Sequence, residues 1–420
     1  MKNMDFDYKT IQSVTNKVGD SFYYLDVEQF VSNYDSLLSS FRKLYKNTHI
    51  AYSYKTNYIP DLCKIIDLKG GYAEIVSDME YQLAKSIDVL DKNIYYNGPY
   101  KSEKSIESLI LNGGYVNIDS LYEMDIIENI ANKHTNLVLK IGIRVNIEIN
   151  DGVLSRFGFD ITDTSFEVLI DRISKISNIR LVGIHLHVAS RALYTWQPRI
   201  KQIINLVESK FDPKTLEYIS LGGGLYGNMA QSLKIQFTDP IPSFSDYANA
   251  VAKDFYDFAN RHNVADSLKL LIEPGSALAG DAMQFVSKVV NIKNVRGKAI
   301  ATLAGSIYNI NPTLNKKNPP IEIVHRNDES NSQYVDLDFG GYTCIESDYL
   351  YRGYSGYLSV NDYVVFSNIG SYSVVLKPPF ILPNFGVVKY ENGSFVEVKR
   401  PEKFLDIFNT YKEINHESVD

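Results

Sequence analysis

Cysteine is almost absent from this chain of 420 residues, with only Cys63 and Cys344, far apart. Two such thiols make neither a disulfide framework nor a zinc site, as expected of a reduced, cytoplasmic protein. No apolar run approaches the roughly 18 residues that cross a bilayer, so no membrane span is expected. Met1–Thr10 is polar and charged, unlike a secretory leader. The net charge of -7 comes without a basic block, which leaves no reason to expect nucleic acid or an anionic membrane surface as a partner. Sequence repeats and low-complexity tracts are also missing, which argues against a solenoid. What remains is an ordinary globular composition, 45% hydrophobic and 22% charged, in a chain long enough for two domains.

Eight strand-like runs precede residue 276: His49–Tyr54, Gly71–Ile75, Asn93–Asn97, Tyr115–Ile118, Leu137–Val145, Arg180–His187, Leu216–Leu221 and Leu268–Ile272. Most are β-branched or aromatic, as in strands covered on both faces. Between them Ser77–Ile87, Ser102–Leu111, Ser120–Asn132, Ser165–Ile176, Gln197–Ser209 and Tyr247–His262 carry apolar residues at helical spacing, several after a Ser or Asp suited to an N-cap. This alternation predicts an α/β fold, a (β/α)8 TIM barrel over residues 26–280. Beyond about residue 280 strands dominate: Phe285–Val295, Ala299–Leu303, Ile321–Val324, Tyr334–Phe339, Tyr357–Phe366 and Gly386–Lys399, the last broken by a hairpin signal at Glu391-Asn392-Gly393. They predict a C-terminal antiparallel β domain over 281–400, with residues 1–25 attached, then a tail over 401–420 with a short amphipathic helix. The strand-like Phe22–Leu25 suits either unit.

Four strings fall at strand ends, where a parallel barrel builds its active site. Lys55, in Tyr54-Lys55-Thr56-Asn57, is either a solvated charge or an amine able to condense with an aldehyde. Gly222-Gly223-Gly224 follows the seventh strand and is either a tight turn or a cradle of N–H groups for an anion. Glu273, in Glu273-Pro274-Gly275, either bonds local amides or keeps a pyridine nitrogen protonated. His187 either fills a core position or lies against a flat ring, with Ser190 as a hydroxyl donor nearby. His185 and His187 do not read as paired metal ligands, and no metal site is expected. In the β region, Cys344 is either a small hydrophobe or a proton donor, and Asp348 can orient an amine.

In this order the motifs resemble those of the fold-type III pyridoxal-phosphate decarboxylases, the family of diaminopimelate, ornithine and arginine decarboxylases. Lys55-Thr56-Asn57, His187-Val188-Ala189-Ser190, Gly222–Gly224, Glu273-Pro274-Gly275-Ser276, Cys344 with Asp348, and Gly370-Ser371-Tyr372 carry the likeness over roughly residues 50 to 375. Further echoes are Ile75-Val76-Ser77, Asn97-Gly98-Pro99, Arg144-Val145-Asn146 and Ser155-Arg156-Phe157-Gly158. The resemblance implies pyridoxal 5'-phosphate as cofactor, Lys55 as its Schiff-base lysine, His187 stacked on the ring and Glu273 on the pyridine nitrogen. It further implies that Ser190, Gly222, Gly223, Gly224 and Tyr372 hold the phosphate, and that Arg144 orients His187 or the ring. A homodimer with shared active sites is implied too, with Cys344 and Asp348 serving the partner's site and Cys344 protonating the carbanion after decarboxylation.

Departures from the pattern bear on the substrate. Ser276 stands where the motif ends in arginine, and Asn311-Pro312-Thr313-Leu314-Asn315 replaces the Arg-Pro-x-x-Tyr string of diaminopimelate enzymes. Ile345 stands where their glutamate follows the cysteine, with Glu346 next along. Losing such buried charged contacts would weaken diaminopimelate recognition by about 2–5 kcal/mol. Arg191, Lys316 and Lys317 are the charges available in exchange. The reading favours a modified or larger amino-acid substrate; the alternatives are a housekeeping diaminopimelate decarboxylase, then a racemase or an inactive homologue. Glu273 and Cys344 speak for decarboxylation over racemisation.

Overall fold

The computed structural model describes residues 6–150, 152–326 and 332–411. The chain divides into two compact units: residues 30–228 with 239–279, and residues 1–29 with 229–238 and 280–420. The first is the barrel. Its parallel strands are β1 (Thr48–Ser53), β2 (Tyr72–Ile75), β3 (Ile94–Tyr96), β4 (Tyr115–Ile118), β5 (Leu139–Asn146), β6 (Ile179–Leu186), β7 (Tyr218–Ser220) and β8 (Lys269–Ile272). Each pairs with its sequence neighbour, and β8 returns to pair with β1 through Leu270–Thr48 to Ile272–Ile50, which closes the ring. All eight expected strands are therefore present. The expected helices are present as well, and local chemistry explains where they start: Ser77, Ser102, Ser120, Asp163 and Ser243 each accept a backbone N–H of the first turn. Periodicity did not separate out the helices Val27–Arg42 and Pro60–Leu68.

Tyrosines fill much of the barrel interior. Tyr95, Tyr115 and Tyr218 pack with Ala51, Val182 and Leu271. Room for Tyr218 comes from two glycines. A Cβ on Gly183 would sit 1.9 Å from its ring, and one on Gly142 would sit 2.2 Å from its hydroxyl. The Tyr218 hydroxyl donates to Asn117 Oδ1 at 2.7 Å, which satisfies a polar group that burial would otherwise penalise.

The second unit is mostly antiparallel sheet, with two parallel pairings among the described residues. Ser21–Leu25 runs antiparallel to Met283–Val295 and parallel to Val387–Glu391, so the N-terminal strand belongs to the β unit. Lys298–Leu303 runs parallel to Ser332–Gly340. The hairpin joining Val387–Glu391 to Ser394–Lys399 turns on Asn392 and Gly393, both at positive φ. The expected single strand Tyr357–Phe366 is two, Tyr349–Leu358 and Tyr363–Ser367. The break comes at Asn361, at positive φ, where the buried Asp362 carboxylate takes the Ser359 and Arg326 N–H groups. In the tail, Phe404–Phe408 is helical; Met1–Asp5 and 412–420 lie outside the described residues.

One buried ion pair shapes the C-terminal mouth of the barrel. In the loop after β3, Lys101 Nζ donates to Gly98 O at 2.6 Å and to both oxygens of Glu123, at 2.9 and 2.8 Å. Glu123 also takes the Asp119 N–H at 2.8 Å. Removing one partner strands the other charge, so Lys101→Met should cost about 3–5 kcal/mol in urea denaturation. The double change Lys101→Met with Glu123→Gln should recover much of that loss; no recovery would show that the charge pair is not what matters.

Candidate active site

Lys55 lies in a single 3-10 turn, Tyr54–Thr56, directly after β1. The turn is pinned to the loop after β8: Ser53 N–H donates to Pro274 O at 3.1 Å, and a Cβ on Gly275 would sit 1.9 Å from Thr56 Oγ1. The ammonium stays partly exposed and pairs with the buried Glu74 of β2 at 2.5 Å. Glu74 also takes the Ser53 hydroxyl and, at 3.0 Å, Asn97 Nδ2.

Glu273 follows β8 and is buried among donors. His185 Nε2 lies 3.0 Å from its Oε2, while Ser220 Oγ at 2.7 Å and Asn97 Nδ2 at 3.2 Å donate to Oε1. Asn97 Oδ1 in turn takes Asn117 Nδ2 at 2.7 Å, which continues the chain of bonds down to Tyr218. Burial would raise the Glu273 pKa, but His185, Lys55 and Ser220 outweigh it and hold the group at about 2. The carboxylate is therefore ionised, the state that would keep a pyridine nitrogen protonated.

His187 is neutral. Burial drives its pKa well below the histidine range, and the positive charges of Lys55 and Arg144 add to this. Gly223 N–H donates to its Nδ1 at 3.0 Å, which leaves the proton on Nε2. Arg144 of β5 is buried, 3.6 Å from Asp119, and feels Glu273 and Glu74. The glycine run packs too closely for side chains. Cβ atoms on Gly222, Gly223 and Gly224 would meet the carbonyl oxygens of Leu186, Glu273 and Ser190 at 2.6, 2.5 and 2.7 Å. Gly222 and Gly224 also need positive φ. An amine, an ionised carboxylate, a neutral flat ring and a side-chain-free cradle together fit a phosphorylated pyridine aldehyde.

The barrel thus brings Lys55, Arg144, His187, Ser190, Gly222, Gly223, Gly224 and Glu273 to the ends of its strands. Arg191 lies there too, its Nη2 3.2 Å from Ser276 Oγ. The remaining candidates belong to the β unit. Tyr372 has positive φ, and Cys344 and Glu346 are exposed. Asp348 is buried and its oxygens are engaged by Ser306 Oγ, the Ile307 and Thr343 N–H groups, and Thr343 Oγ1. A carboxylate so occupied holds the turn that carries Cys344. Sequence reasoning gave His185 no role and passed over Glu74, Ser220 and Arg199. A carboxylate inside the short apolar strand β2 was the available signal for Glu74; the others depend on contacts across the barrel.

The family described as pyridoxal-dependent decarboxylase, pyridoxal binding domain, matches residues 32–280. A diaminopimelate decarboxylase of Aquifex aeolicus is 27% identical over 390 residues, 87% of this chain and 86% of its own length. One from Bacillus subtilis is 22% identical over 411 residues, 94% and 92% of the two chains. Among solved structures, diaminopimelate decarboxylase of Helicobacter pylori complexed with L-lysine superposes with a TM-score of 0.79 at 18% identity, covering 95% of this chain and 98% of the other. The arginine decarboxylase of Paramecium bursaria Chlorella virus gives 0.72 at 19%, covering 91% and 100%.

Beside the site, Glu80 carries a pH signature. Burial, with Glu74 adding, raises its pKa to about 7, although the Val76 N–H bond and Lys55 oppose the shift. A native value above the unfolded one means that stability is fullest below the unfolded pKa and falls as pH rises through about 7. Glu80→Gln can keep the Val76 bond without the charge. Urea midpoints at about pH 5 and about pH 9 should show the parent losing about 1–3 kcal/mol that the variant retains. Equal losses in both would rule out Glu80 as the source.

Proposed function

Because this chain belongs to the pyridoxal-dependent decarboxylases, we propose that it removes the α-carboxylate of an amino acid with a second carboxylate at its far end. Diaminopimelate is the first compound to test. One observation carries this reading: Arg191 reaches the hydroxyl of Ser276, so a guanidinium from another loop stands where the motif's own arginine is missing. Arginine is suited to a bidentate grip on a carboxylate. The similarity to diaminopimelate decarboxylases supports the same substrate class.

Pyridoxal phosphate, when bound, supplies the electron sink for the pair left behind as carbon dioxide departs. Lys55 is the amine for its covalent attachment, with Glu74 placed to take a proton from Nζ. Glu273 would hold the proton on the ring nitrogen, His187 would face the ring, and Arg144 would set the charge balance around both. Ser190, Gly222, Gly223 and Gly224 would receive the phosphate. Cys344 would deliver a proton to the substrate's Cα in a second copy of the chain, the enzyme acting as a cytoplasmic homodimer. Glu346, exposed beside it, would meet the substrate's distal amine, and Asp348 would position that turn. A modified diaminopimelate is the second reading, favoured by Ile345 and Asn311.

The purified enzyme should show an absorbance band that borohydride abolishes, with a pyridoxyl adduct on Lys55 by mass spectrometry. It should release carbon dioxide from diaminopimelate faster than from arginine or ornithine. No adduct after reconstitution would sink the assignment of Lys55; an adduct without turnover of diaminopimelate would favour the second reading. For the active diacid, Arg191→Gln should raise KM about 10–100-fold with little change in kcat. An unchanged KM would remove Arg191 from the substrate site.

A further inference from the structure

Arg199 has no place in the chemistry just described, yet it is completely buried in the helix Trp196–Lys210. Its guanidinium lies 4.3 Å from the centre of the Trp196 ring. Nη1 donates to Gly223 O at 2.9 Å, and Nη2 donates to Ser190 O at 2.6 Å and to Thr195 Oγ1 at 3.0 Å. A guanidinium keeps its charge at any physiological pH and is costly to bury. A neutral side chain could tie the same two loops together, so the retained charge calls for a reason.

The two carbonyls supply it. Every described peptide bond is trans, and a trans peptide points its C=O and N–H in opposite directions. Carbonyls turned towards Arg199 therefore turn the N–H groups of Gly224 and Arg191 away from it. The two loops meet there: a Cβ on Gly224 would lie 2.7 Å from Ser190 O and 3.1 Å from Val188 O. Among the described residues neither N–H has a protein acceptor. Both peptide dipoles thus stand with their negative ends on a buried cation and their positive ends away from it, one of them the N–H of Gly224 in the glycine run itself.

We propose that Arg199 is a positioning residue that sets affinity for the cofactor's phosphate without touching it, by polarising and aligning these two peptides. The inference rests on the pyridoxal-phosphate reading of the site. It makes Arg199 matter most for the phosphorylated cofactor, since both carbonyls it holds belong to the loops assigned to the phosphate.

The test compares pyridoxal 5'-phosphate with pyridoxal, which lacks the phosphate, on enzyme stripped of cofactor. Binding is read from the absorbance of the Lys55 adduct, and folding from circular dichroism and Tm. Arg199→Gln keeps donors but loses the charge. It should weaken pyridoxal phosphate at least ~30-fold while pyridoxal stays within about twofold of the parent. Arg199→Lys keeps the charge and should preserve most of the preference for the phosphorylated form, and it carries the test alone if the glutamine variant does not fold. Equal weakening of both ligands by Arg199→Gln would reduce Arg199 to a structural tie, and loss of the preference in a folded Arg199→Lys would also overturn the proposal. A parent enzyme that binds neither ligand would instead reject the cofactor reading itself.

Discussion

A buried negative charge organises the barrel mouth. Glu273 has left water, and an isolated carboxylate would respond by taking up a proton. It stays ionised because His185, Ser220 and Asn97 aim donors at it. Those donors come from β6, β7 and the loop after β3, so three separate parts of the barrel must be in register before the charge is tolerated. Asn97 is shared with Glu74, and Glu74 with Lys55. The amine, both carboxylates and the tyrosine core are thus one hydrogen-bonded system, in which each amide is oriented by the next.

A second arrangement of charge surrounds the first. Arg144 and Lys101 are buried cations, each beside its own carboxylate, Asp119 and Glu123. These pairs secure the loops, and Arg144 also feels Glu273. Arg191, by contrast, is held by hydroxyl and carbonyl contacts: its side chain reaches Ser276, and its carbonyl takes the Tyr247 hydroxyl at 2.6 Å. A guanidinium in that state keeps more of its electrostatic reach for an incoming anion than one already paired with a carboxylate.

Much of this architecture was legible from residue order. The barrel strands are short apolar runs with capped helices between them, signals that act over a few residues. The merged strand at Tyr357–Phe366 failed because the apolar run on either side outweighed Asn361-Asp362, residues suited to a left-handed turn. In the site, Lys55, His187, the glycines and Glu273 could be found because their motifs are contiguous. Their partners could not. Glu273 meets His185 across 88 residues of sequence, and Arg199 meets Gly223 across 24. Such pairings exist only once a barrel closes. Asp348 shows the converse: its motif was visible, but its four donors, drawn from two turns of the β unit, were not.

The glycines at 142 and 183 look like ordinary packing choices, since each leaves room for the Tyr218 ring. That ring carries the hydroxyl that fixes Asn117, which fixes Asn97, which reaches Glu273. Replacing strand glycines with alanine is a usual route to a more heat-resistant protein. In this barrel the same edit has no room at these two positions, and a displaced Tyr218 would disturb the Asn117–Asn97 chain that reaches Glu273. Core packing and the hydrogen bonding of the site are therefore inherited together here, and a change in one would move the other.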